Sequence, residues 1–191
     1  MPDPQPNRDP FALLGLPRSF RLTRADIESA YLQRAASLHP DLSGEKADEA
    51  ARASSDLNHA KQALLDPETR ANALLALIGG AGKSEDKSLP DGFLMEIMEI
   101  RQQIEADLAV GGEGGKGGVG GVDESKRAQW EAWAESRRAD LIERVGELFD
   151  AASQGRQALP RIRTQLNAWR YTERLIEQLD PDYDPAQADF R

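Results

Sequence analysis

At 191 residues the chain can bury a real core in one or two domains, and 39% hydrophobic against 30% charged residues suits a soluble, charge-decorated helical protein. Cysteine is absent, which excludes disulfides, thiolate nucleophiles and Cys-ligated zinc or iron–sulfur sites, and a net charge of −9 argues against a nucleic-acid binder. No apolar run approaches the roughly 18–20 residues of a membrane span, and the polar, proline-rich start lacks a signal or transit pattern, so a soluble cytoplasmic protein is expected.

Residues 1–8 are expected to be disordered. Asp9-Pro10 then opens a short helix, with Asp9 as N-cap and Pro10 at the first helical position, and Gly15 ends it. Thr23 and Asp26 form a start like a capping box. The helix they launch carries Ile27, Ala30, Tyr31, Ala35 and Leu38 at 3–4 spacing, with Arg34 bordering that stripe. After a polar loop, a longer helix from about Lys46 turns Ala50, Ala53, Leu57, Ala60 and Leu64 inward. Asp66-Pro67 closes it and starts the next, about Glu68 to Ile78. Gly79-Gly80-Ala81-Gly82 is a clear stop, and a domain boundary is placed at 81–88.

The second half holds three helical stretches. Leu89 to about Val110 carries Phe93, Ile97, Ile100, Ile104 and Leu108 along one face. Residues 111–122 form a flexible tether, with eight glycines between Gly111 and Gly121. Asp123 to about Ala152 carries Trp130, Ala134, Leu141, Val145 and Leu148, and Leu159 to Leu179 carries Leu159, Ile162, Leu166, Trp169 and Ile176. One long loop, one short connection and no strands imply an all-α chain ending in an antiparallel three-helix bundle at 89–180, followed by a loose tail at 181–191.

The most distinctive stretch is Leu38-His39-Pro40-Asp41-Leu42, which ends one helix abruptly. Proline lacks an N–H and disfavours helical geometry before it, so the helix must stop near Leu38 or His39. A helix needing only to turn would more often use Gly or Asn. Here a titratable ring, a rigid ring and a carboxylate share one connection between two amphipathic helices.

That arrangement resembles the J-domain of DnaJ-type co-chaperones, and Ala60, Leu64, Asp66, Pro67 and Arg70 match the close of that domain's third helix. The chain is more specifically similar to the HscB family, the J-proteins of iron–sulfur cluster assembly. The runs Asp9 to Pro17, Leu57 to Ala60, Arg70 to Leu77 and Phe93 to Arg101 carry that likeness, which covers about residues 9–110. The resemblance implies a J-domain at 9–80 that stimulates a DnaK/HscA-class ATPase, and a helical bundle that binds the IscU-like scaffold. His39, Pro40, Asp41, Arg24 and Arg34 would meet the chaperone. The chain departs from the family in Leu42, where many J-domains have Lys, in a thinly basic helix before the corner, and in the glycine insertion. Fewer charges there imply weaker steering, because complementary charge mainly sets on-rate and orientation.

A second site can be read from the helical wheel alone. At about 100° per residue Phe93, Ile97, Ile100 and Ile104 share one narrow arc, while Leu94, Met95 and Met98 lie well off it. Tyr171 lies opposite Ile162, Leu166, Trp169 and Ile176 on the last helix. Surplus apolar groups on two helices suit a partner surface, Met above all, unless the first domain packs over them. By resemblance Leu94, Met95, Met98, Glu99 and Tyr171 match scaffold-contact positions. Gln102 and Ala106 stand there where the family often has acids.

Two distractors remain. Leu77-Ile78-Gly79-Gly80-Ala81-Gly82-Lys83-Ser84 is one glycine short of a phosphate-binding loop, and it lacks the strand before and the helix after. His59 sits mid-helix and reads as a core or interhelix hydrogen-bonding residue. Two histidines without cysteine give no metal-ligand spacing, and no nucleophile–base set is visible, so no catalytic residue, cofactor or metal is expected. The alternatives are a J-protein serving another client and a helical nucleotide-binding protein.

Overall fold

The computed structural model describes residues 9–37, 45–109, 124–153, 155–177 and 179, without the side chains of 45–47 and 108–109. The expectations for 1–8, for His39, Pro40, Asp41 and Leu42, for the 111–122 stretch and for the tail lie outside those residues. The elements run α1 (Pro10–Leu14), α2 (Arg24–Ala36), α3 (Glu45–Leu65), α4 (Pro67–Leu77), α5 (Phe93–Ala109), α6 (Glu124–Ala152) and α7 (Leu159–Glu177). A 3₁₀ turn, Arg156–Ala158, precedes α7. Every regular element among the described residues is helical.

Local chemistry sets these ends. Asp9 Oδ1 accepts from Phe11 N at 2.9 Å, and Gly15 closes α1 at φ 71°, a left-handed geometry that costs glycine little. The Arg34 guanidinium lies over the same glycine, and a Cβ there would sit 2.6 Å from Nη2. Thr23 Oγ1 accepts from Asp26 N, while Asp26 Oδ2 accepts from Thr23 N and Oγ1. Those bonds to the Thr23 hydroxyl and amide hold the Asp26 carboxyl below the usual range. Asp66 caps α4 through Thr69 N at 2.7 Å.

One helix begins later than its periodicity implies. Leu89 precedes Pro90, which disfavours helical backbone, and Gly92 turns at φ 76° before α5 starts at Phe93. Leu89 still packs on the bundle core, from the approach rather than from the helix.

The bundle's directions follow from its ion pairs. Glu96 meets Arg137 and Asp107 meets Lys126, so α5 and α6 run opposite ways. Arg138 meets Glu173 near one end of α7, while the 3₁₀ turn joins the other end to α6. Helix α6 therefore also opposes α7. Helix α6 has 29 residues and α5 only 17. Because Glu96 lies opposite Arg137, α5 begins opposite about Asp140, and the last stretch of α6 overhangs it by roughly 18 Å, at 1.5 Å per residue.

The J-domain-like half fills that overhang. Leu141, Val145, Leu148 and Phe149 of α6 share one buried cluster with Phe11, Leu14, Phe20, Ile27, Leu57, Leu64, Leu74 and Leu75. Leu159, Ile162, Leu166 and Trp169 of α7 join it. A second cluster, Phe93, Ile97, Ile104, Ala134, Ala168, Leu175 and Ile176, is the bundle proper. The glycine-marked boundary in the chain is thus crossed by a continuous apolar core. Polar contacts follow the same seam. Buried Arg163 donates to Asn72 Oδ1 at 2.8 Å and to Asn167 Oδ1 at 3.0 Å. Asn167 Nδ2 in turn donates to the carbonyls of Asp86 and Ser88, pinning the connecting segment to α7.

Candidate functional site

Two surfaces stand out, one on α5 and α7 and one on α2. Phe93, Ile97 and Ile104 are buried, and this fixes the outward face of α5. Leu94, Met95 and Met98 are 51%, 71% and 60% exposed, and Tyr171 on α7 is 45% exposed. Leu94 and Met98 stand one turn apart, and Met95 lies three residues from Met98, so the three form one patch. The Tyr171 ring reaches that patch edge-on to Phe93, with centroids 6.2 Å apart. The first domain packs on the far half of α6 and leaves this patch uncovered.

Polar groups frame the patch. Glu99 and Gln102 are exposed on the same helix, and Ala106 continues the line beyond them. Glu96 is engaged by Arg137 at 2.8 Å and Arg101 by Glu105 at 2.8 Å. Four large exposed apolar side chains, with ion-paired and polar groups around them, form a surface suited to apolar docking.

On α2, His39, Pro40 and Asp41 lie beyond the described residues, but the helix leading to them is well defined. Ile27 is fully buried, and Ala30 and Tyr31 pack against the core. Tyr31 Oη donates to Asn58 Oδ1 at 2.8 Å, tying α2 to α3. Arg24 pairs with Glu28 at 3.0 Å on its own helix. Arg34 is exposed, with its guanidinium beside Gly15.

The arginines just upstream are committed to other parts of the fold. Arg18 bonds Asp9 at 2.8 Å. Arg21 donates from Nε to Asp150 at 2.9 Å and from Nη2 to Glu143 at 3.0 Å, both on α6. Those two carboxylates raise the pKa of its already strongly basic guanidinium. Gly146 gives Arg21 room, since a Cβ there would sit 3.2 Å from Cζ. The Arg21 partners lie more than 120 positions away, so nothing local could have shown the pairing.

The near-phosphate loop is occupied by its own chain. Gly79 N donates to Ala76 O, Gly80 N to Leu75 O, and Gly82 N to the Glu85 carboxylate at 2.7 Å. A helix precedes it and turns follow. His59 corrects an expectation, because it is exposed on α3 rather than part of a core. The stripe Leu57, Ala60, Leu64 faces inward, and His59 lies on the opposite side of the wheel. Among the described residues no group of three or more His, Cys, Asp or Glu could hold a metal, and no helix is long and apolar enough to cross a membrane.

Comparison with known proteins gives these surfaces a context. Residues 9–73 match the family model of the DnaJ domain. A co-chaperone protein HscB homolog of Mannheimia succiniciproducens is 39% identical over 103 residues, 51% of this chain and 60% of that protein. The mitochondrial J-type co-chaperone jac1 of Schizosaccharomyces pombe is 40% identical over 89 residues, 46% of this chain and 40% of that one. The aligned stretch therefore spans less than two thirds of these relatives. The crystal structure of human co-chaperone protein HscB superposes with a TM-score of 0.69 at 24% identity, covering 92% of this chain and 82% of that one. The likeness in fold thus continues through the bundle, past the stretch where sequence aligns. The chain thus carries a DnaJ domain over residues 9–73, is similar in sequence to HscB homologs over about half its length, and shares the HscB fold.

Proposed function

We propose that the chain is a co-chaperone of iron–sulfur cluster assembly, stimulating a DnaK/HscA-class ATPase through His39, Pro40 and Asp41 and presenting an IscU-like scaffold on its bundle. The observation that carries this reading is the apolar patch of Leu94, Met95, Met98 and Tyr171, left open on a chain that also holds a J-domain. The names of the relatives, HscB homolog and J-type co-chaperone jac1, support it.

The mechanism needs no chemistry from this chain. Contact at 39–41 favours the hydrolysis-competent state of the ATPase, by as much as the chain's affinities for the two states differ. Scaffold held on α5 and α7 is thereby brought to the chaperone as its client. Met side chains suit that second contact, being unbranched and able to fit an irregular partner surface. Glu99 and Gln102 supply its polar rim, with Leu94, Met95, Met98 and Tyr171 as its apolar centre.

Single-turnover ATPase assays with the chaperone and scaffold test the reading. The wild-type chain accelerates hydrolysis, and His39→Gln removes that acceleration while scaffold binding by titration is unchanged. Normal stimulation by His39→Gln would sink the assignment of the corner. Stimulation without any scaffold binding would assign the bundle to another client.

A further inference from the structure

The seam between the two halves is not filled throughout. A cavity of about 460 Å³ opens there, lined from both sides of the glycine-marked boundary. It is separate from the apolar patch, since Leu159 on its wall and Tyr171 in the patch stand roughly 18 Å apart along α7. The floor is apolar and closed. Phe20 stacks on Phe149 with centroids 5.4 Å apart, and Leu74, Ile78 and Leu159 complete the surface. All but Ile78 are buried.

Three charged side chains stand on the wall, and two of them are spent. Arg18 is bonded to Asp9 at 2.8 Å, and Asp150 receives Arg21 at 2.9 Å. Arg156 meets no carboxylate. Among the described residues its guanidinium makes one hydrogen bond, from Nη2 to the Ile78 carbonyl at 3.1 Å, so Nε and Nη1 are left to donate. Gly79 admits it, at φ 80°, because a Cβ there would collide with Nη2. The glycine run that is one short of a phosphate loop thus serves to seat a cation on the cavity wall.

We propose that this cavity binds a small amphipathic anion, an aromatic or branched aliphatic body carrying a single carboxylate. The body rests on the Phe20–Phe149 floor and the carboxylate pairs with Arg156. One unneutralised cation beside an apolar floor selects a monoanion, because further negative charge would be brought against Asp150. The volume lies within the roughly 300–1,000 Å³ of small-molecule sites, which favour junctions between domains. The site stands independently of the co-chaperone reading. Its walls come from the α1–α2 connection, α4, α6 and the turn before α7, so an occupant bridges both halves.

The test uses the dye anilinonaphthalene sulfonate, an aromatic monoanion that fluoresces in apolar surroundings. Titrated into the folded full chain, it should bind at one site with a Kd of about 10–100 μM, the range for a ligand of its size. Naphthoate should displace it, and neutral naphthalenemethanol should need about fivefold more. Arg156→Gln should weaken the dye by about fivefold, the upper scale of an exposed ion pair. Ser153→Trp fills the cavity from an exposed position with Arg156 intact, and should weaken binding by about tenfold or more. Met98→Ala with Tyr171→Ala should leave it within about twofold, because the patch lies elsewhere. Circular dichroism confirms that each variant is folded. If the folded chain binds no dye, or loses it with the patch variant and keeps it in Ser153→Trp, the cavity is not a ligand site. Equal displacement by the neutral alcohol would overturn the anionic class.

Discussion

The double variant Met98→Ala with Tyr171→Ala should weaken scaffold binding by about 2–3 kcal/mol, roughly a hundredfold in Kd, while the fold stays intact. Neither Met98 nor Tyr171 belongs to a buried cluster, so truncation leaves no cavity in the bundle core. The one internal contact at risk is the edge-on Phe93–Tyr171 pair, worth about 0.5–1.5 kcal/mol in folding. Phe93 keeps its burial against the second cluster, so helical content and melting temperature should move little. In a complex the same side chains would be the buried centre, where apolar anchors carry most of the binding energy and the rim carries little. Isothermal titration with the scaffold measures the loss, and circular dichroism checks the fold. Unchanged affinity in a folded variant would remove the patch from the proposed function. Truncating Gln102 on the rim should cost under about 1 kcal/mol, which separates an anchored site from a diffuse one.

That patch was legible in the sequence because α5 is amphipathic with a surplus. Phe93, Ile97, Ile100 and Ile104 already satisfy one face, so Leu94, Met95 and Met98 had to go elsewhere, and elsewhere is solvent. The short helices at the start were equally readable, since Asp9, Gly15, Thr23 and Asp26 act on their own neighbours. Contacts at long range left no such trace. Leu141, Val145 and Leu148 follow Trp130 and Ala134 along one apolar stripe, and periodicity gives a stripe but no partner. The upper residues meet α5 and α7, while the lower ones meet the first domain, because α5 is too short to reach them. The Arg21 pairs are hidden in the same way, since their carboxylates stand on α6, beyond the boundary that the glycines mark.

Exposed ion pairs such as Arg21 with Glu143 add little to stability, so it is the apolar seam that holds the two halves together.

The seam supports the second large effect. Ile162→Ala should destabilise the chain by about 3 kcal/mol and lower the melting temperature by roughly 6–12 °C. Ile162 is fully buried in the cluster shared by α6, α7 and the first domain. Removing its outer methyl and methylene groups costs their transfer energy plus a cavity that close-packed neighbours only partly close. The more telling result is which signals move. Trp169 belongs to the shared cluster, so with Trp169→Phe as background Trp130 and Trp133 report the opposite end of the bundle, their rings 5.7 Å apart at an interplanar angle of 77°. Amide exchange in α3 reports the first domain through Leu57 and Leu64. One continuous core predicts that tryptophan fluorescence and α3 protection are lost together and shift together in the variant. Two separate cores would leave α3 protected after the bundle melts. That outcome would show the first domain folding on its own, with the patch and the corner free to reorient. A common transition instead means that α2 and the patch on α5 are carried on one rigid frame, at an angle set by the packing around Ile162.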